Sequence, residues 1–134
     1  MPTQQITAST VSLTVDDVPA SREFFTKHLG YQEQAAADGF ASLSRPDAAV
    51  DIVLLRTGIT VLPEEQRHRR AEGLILAFTL TGLEGEEARL RSEGVPITMP
   101  IREEPWGERL FQITDPNGIV VQFVEWVAAA GEPA

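Results

Sequence analysis

One succession of strand-like and helix-like segments occurs twice in this chain, and that repetition limits what it can fold into more than any single motif does. From Thr10 to Val15, apolar Val11, Leu13 and Val15 alternate with Thr10, Ser12 and Thr14, the period of two that gives a strand one buried face. Asp16 and Asp17 then offer helix N-caps, and Pro19 suits a first turn. Ala20, Phe24, Phe25 and Leu29 keep one helical face apolar as far as Gly30, a C-terminal stop. Tyr31 to Ala37, an Asp38-Gly39 turn and Phe40 to Ser44 read as a hairpin, followed by a strand from Val50 to Arg56. The order is β, α, β, β, β.

At Leu74 the order begins again. Leu74, Leu76, Phe78 and Leu80 alternate with Ile75, Ala77 and Thr79, and Glu84 to Glu93 predicts a helix with acids at its positive end and Gly94 as its stop. The apolar stripe of this helix is thinner than that of the first. Ile97 to Ile101, Arg109 to Thr114 and Ile119 to Val127 predict strands, with Asp115-Pro116-Asn117-Gly118 as the turn before the last. The chain therefore reads as one α+β domain of two βαβββ modules, over residues 8–57 and 74–128, joined by a polar linker over 58–73.

A length of 134 residues is enough to bury a core without staples, and the absence of cysteine makes that necessary. It also removes thiolate chemistry, zinc fingers and iron–sulfur clusters. A formal charge of −9 repels phosphate backbones and anionic lipid, so nucleic acid and membrane surfaces are not expected partners. Met1 to Ser9 lacks the basic and apolar stretches of a signal peptide, and no apolar run approaches the ~20 residues that span a bilayer, which implies a cytoplasmic protein.

Val11 to Asp17, Ser21 to Phe25 and Leu29-Gly30-Tyr31 together resemble the opening module of the vicinal oxygen chelate superfamily. Glu104-Pro105-Trp106-Gly107-Glu108-Arg109, then Phe111, Asp115-Pro116-Asn117-Gly118 and Gln122 to Glu125 resemble the closing module of its glyoxalase and bleomycin-resistance branch. The resemblance implies two βαβββ modules, each a curved sheet half-wrapped around a cavity, in agreement with the duplication. It does not by itself fix the chemistry, since the superfamily contains isomerases, lyases, dioxygenases and proteins that only hold a drug.

Metal-dependent members bind a divalent ion through His, Gln or Glu on the strands facing the cavity. Carried onto this chain, the resemblance puts Thr10 and Ile75 at the two positions where His is usual and Gln122 where Glu is usual. A fourth position falls within Val50 to Val53, where Asp51 is the candidate, in a register uncertain by one residue. An alkyl side chain supplies no lone pair and an amide no charge, so the reading is no metal cofactor and no catalytic residue, with Asp51 and Gln122 as weak ligands if a divalent ion binds after all.

His28, in the last turn of the first helix, and His68, within the basic run Arg67-His68-Arg69-Arg70, read as solvated side chains. The acid pairs Glu64-Glu65, Glu86-Glu87 and Glu103-Glu104 read as surface, and Arg109 as a partner of Glu104 or Glu108. By alternation the cavity lining is Thr10, Ser12, Thr14, Ile75, Ala77, Gln122 and Val124, with Trp126 on the same side. Trp106, in an irregular stretch, is either a stacking surface for a ligand or a plug between strands. Hydroxyls, one amide and apolar groups suit a small organic molecule, cationic or aromatic, captured without turnover, and the resemblance implies a homodimer. The alternative is a metal-dependent lyase, isomerase or dioxygenase of the same superfamily.

Overall fold

The structure is a computed structural model that describes residues 4–127. The last residue of the expected second module, 128, and the first three of the segment read for a leader lie outside the described residues. The chain divides into two compact units between Ala71 and Glu72.

In the first unit the order is β1 (Ser9–Val15), α1 (Val18–His28), β2 (Gln32–Ala37), β3 (Phe40–Ser44) and β4 (Val50–Arg56). These strands form one sheet in the order β1-β4-β3-β2, with β1 and β4 parallel and the other pairs antiparallel. Leu13 and Val15 from β1, Ile52 and Leu54 from β4, and Ala41 and Leu43 from β3 are buried with Phe24 and Phe25 of α1. Each of these side chains larger than alanine contributes roughly 1.5–3 kcal/mol by leaving water. The Phe25 ring meets Phe24 and Tyr31 edge-on, with centroids 6.0 and 5.6 Å away. Asp17 caps α1 by accepting from the Ala20 N–H at 3.1 Å, and the Asp38-Gly39 turn places Gly39 at a φ of +73°.

The linker up to Ala71 is part of this unit. A turn of 3₁₀ helix at Glu64–Gln66 breaks it, the Gly58 N–H donates to the Arg67 carbonyl, and the Ala71 N–H donates to the Thr14 carbonyl at 2.7 Å. Arg70 pairs with Asp16 at 2.5 Å, so its basic run is tied down at one end.

The second unit repeats the order with β5 (Ile75–Thr79), α2 (Leu83–Ser92), β6 (Ile97–Glu103), β7 (Glu108–Thr114) and β8 (Val120–Trp126). Its sheet runs β5-β8-β7-β6, again with the first and last strands parallel. Phe111 stacks on Phe123 at 5.1 Å, and Phe78 approaches Phe123 at 5.9 Å. Only Leu83 and Leu90 of α2 are buried, the thin stripe its sequence predicts. The predicted tandem βαβββ architecture is therefore present element by element. No helix among the described residues is long and apolar enough to cross a membrane.

Candidate functional site

In the first unit, the sheet face away from α1 carries Thr10, Ser12 and Thr14. The parallel register sets them beside Asp51, Val53 and Leu55 of β4. Asp51 thus shares a face with Thr10, which resolves the register the sequence left open. Thr10 and Ser12 are exposed and Asp51 half-buried, whereas Thr14 is buried. Tyr31, on the other side of the sheet, is buried, and that burial raises its phenol pKa, with Arg45 pulling the other way.

A separate cavity of about 400 Å³ lies in this unit between the start of α1 and the β2–β3 turn, lined by Asp16, Asp17, Arg22, Asp38 and Arg56 among others. Its ionised groups already engage one another or their neighbours. Arg56 holds Asp38 through both carboxylate oxygens and lowers that carboxyl's pKa, and Arg22 faces Glu33 at 3.5 Å.

In the second unit, the face away from α2 carries Ile75, Ala77 and Thr79 beside Val120, Gln122 and Val124. Continuing across the sheet, Gln112 lies opposite Gln122, Leu110 opposite Val124 and Glu108 opposite Trp126. Ile75 and Ala77 are exposed, Gln122 is half-buried, and Val124 is buried and offers almost no surface. The Gln122 carbonyl oxygen, the atom that would ligate an ion, accepts from Gln112 Nε2 at 2.8 Å. Among the described residues, no three His, Cys, Asp or Glu side chains come together as a metal-binding group.

Trp106 is 62% exposed, so within its unit it is not the plug that one reading of its loop allows. Its indole N–H donates to Glu108 Oε1 at 3.0 Å. Arg109 does not take the Glu104 or Glu108 partner expected of it. It pairs with Glu84 of α2, approaches Glu125 at 3.7 Å and Glu103 at 3.9 Å, and Glu84 is shifted to lower pKa by that hydrogen bond. The reason is direction: alternation along β7 turns Arg109 toward the helix side while Glu108 faces the other way. Glu125 in turn accepts from the Gly82 and Leu83 N–H groups at the start of α2.

Among the remaining singled-out residues, His68, Glu64, Glu65 and Glu103 are exposed, as read from the sequence. His28 meets the Phe24 ring edge-on at 5.4 Å, and His68 lies against Gly58. Glu86 pairs with Arg89, Glu87 with Arg91, and Glu104 with Arg102, so these acids are more enclosed than a surface reading implies.

Comparison with solved structures agrees with this architecture. A glyoxalase/bleomycin resistance protein/dioxygenase from Nocardioides superposes with a TM-score of 0.73 at 23% identity, covering 99% of this chain and 93% of that one. An antibiotic binding protein from Streptomyces sp. CB03234 gives 0.71 at 20% identity, covering 94% and 100%. A lactoylglutathione lyase from Agrobacterium tumefaciens gives 0.70 at 17%, covering 93% and 96%. No curated protein matches the sequence. Residues 7–123 match the family described as the Glyoxalase/Bleomycin resistance protein/Dioxygenase superfamily, and the chain belongs to that superfamily.

Proposed function

We propose that this protein is a metal-free binding protein of its superfamily, a cytoplasmic homodimer that captures a small organic molecule, a drug or a metabolite, on the sheet faces turned away from its helices. The observation that carries the reading is the donor set. The positions matched to metal ligands hold a threonine hydroxyl, an isoleucine, a single carboxylate at Asp51, and a glutamine whose carbonyl oxygen is already hydrogen-bonded to Gln112. A divalent ion needs several charged or imidazole donors, and this set does not fit one. In the first unit the hydroxyls of Thr10 and Ser12, and in the second Ile75, Ala77, Gln122 and the exposed Trp106, are each surfaces of the kind that hold an organic ligand by apolar area and a few hydrogen bonds. The fold likeness to an antibiotic binding protein supports the same reading.

The half-buried Asp51 carboxylate beside Thr10 favours the second reading, a metal-dependent lyase, isomerase or dioxygenase. Elemental analysis of protein purified without chelator separates the two. The binding reading expects metal far below stoichiometry and a thermal midpoint indifferent to EDTA. Nickel, zinc, manganese or iron near one equivalent, lost together with stability on chelation, overturns it.

A further inference from the structure

The second unit brings both tryptophans of the chain to a single carboxylate. Glu108 opens β7 and lies directly opposite Trp126 at the end of β8. Side chains in such a cross-strand pair share a face, with Cβ atoms about 5 Å apart. On its other side Glu108 accepts the Trp106 indole N–H at 3.0 Å. The backbone fixes the turn that carries Trp106. The Glu104 N–H donates to the Glu108 carbonyl, the Gly107 N–H to the Glu104 carbonyl and the Val127 N–H to the Gly107 carbonyl, at 2.8, 3.0 and 2.8 Å.

Placed this way, the indoles remain 62% and 55% exposed. Glu108 Oε1 accepts the Trp106 N–H hydrogen bond, and Oε2 has no hydrogen-bond partner among the described residues. The nearby cations are engaged elsewhere, Arg102 by Glu104 and Arg109 by Glu84, Glu125 and Glu103. A carboxylate oxygen with spare lone pairs beside two exposed indoles attracts one class of group, a positively charged organic nitrogen. The carboxylate supplies Coulomb attraction and the indole quadrupoles add cation–π attraction.

We infer that Glu108, Trp106 and Trp126 form a subsite for the cationic nitrogen of an organic ligand, such as a quaternary or tertiary ammonium. The inference rests on the binding reading above and gives it a charge preference. Because the chain has two tryptophans and both stand here, tryptophan emission excited beyond the tyrosine band reads this subsite alone. The test titrates the full chain with choline and with 3,3-dimethylbutan-1-ol, which has the same shape without the charge. A saturable emission change is expected with choline, about tenfold tighter than with the alcohol. E108Q is expected to lose most of that preference with its thermal midpoint unchanged, and W126L to weaken choline binding while Trp106 stays bonded to Glu108.

Equal response to both compounds, no saturable response to choline, or E108Q binding choline as tightly as the parent overturns the subsite. An emission that follows protein dilution and ignores choline also overturns it, and gives the two indoles to a contact between copies. None of these outcomes touches the metal content on which the binding reading stands. Conversely, a stoichiometric metal removes that reading while leaving the choline titration to be judged on its own result.

Discussion

At the scale of single residues, Gly107 is the position with least freedom. It sits at a φ of +91°, and a Cβ there would lie 2.7 Å from the Val127 carbonyl oxygen, a backbone atom that cannot step aside. Gly107→Ala should therefore destabilise by about 1–3 kcal/mol in chemical denaturation and alter Trp106 emission, because the turn must open to admit the methyl group. Asp115 is the counterpart before β8, a buried carboxylate whose Oδ1 accepts from the Asn117 and Ile119 N–H groups at 2.9 and 2.8 Å. Asp115→Ala should lose about 1–3 kcal/mol, and Asp115→Asn less, since it retains that acceptor. Tyr31 gives a pH dependence. Its pKa is raised by burial, so the folded state keeps the phenol proton longer than the unfolded chain does. Stability is then full below the ordinary phenol range and falls as pH rises above about 10. Tyr31→Phe should remove that alkaline loss, as read by denaturation midpoints between neutral and alkaline pH. The Asp-Pro-Asn-Gly turn was legible from residue types because its chemistry is local. The partners of Arg109 were not, since Glu84, Glu103 and Glu125 reach it from three other elements.

At the scale of elements, the two helices are secured differently. α1 has its own cap in Asp17 and buries Val18, Ser21, Phe24 and Phe25. The N-cap position of α2 is Gly82, which has no side chain to cap with, and the helix borrows the Glu125 carboxylate from β8. Glu125→Ala should thus cost about 1–2 kcal/mol and reduce helical circular dichroism, the effect of removing a cap although the residue lies in a strand. Strands with one apolar face were readable to within a residue or two, as Val11, Leu13 and Val15 against Thr10, Ser12 and Thr14 illustrate. The docking of the linker on β1 was not, because backbone hydrogen bonds such as Ala71 to Thr14 leave no trace in side-chain pattern. The Trp106, Glu108 and Trp126 grouping was half legible: alternation puts Trp126 on the right face, but the register pairing it with Glu108 exists only once β7 and β8 are in place.

At the scale of the whole molecule, a formal charge of −9 sets the background against which every ion pair acts. The pairs are mostly exposed and individually weak, while the excess of acids repels itself in the compact state. Raising sodium chloride from about 10 mM, where the screening length is ~30 Å, to about 0.15 M, where it is ~8 Å, should raise the thermal midpoint. A fall instead would mean that the pairs outweigh the repulsion. The duplicated order was legible across the full length because it depends on period and turn chemistry, which each half carries for itself. The outermost hairpin strand of each sheet, β2 in one and β6 in the other, has the same irregularity. Its pairing slips, between Glu33 and Ala35 in β2 and at two places in β6, which also contains Pro100. A strand from a stranger molecule would meet amide groups out of step with its own, and at Pro100 no donor at all. At these two borders the fold is a poor seed for fibrils, a safeguard built from geometry and independent of net charge.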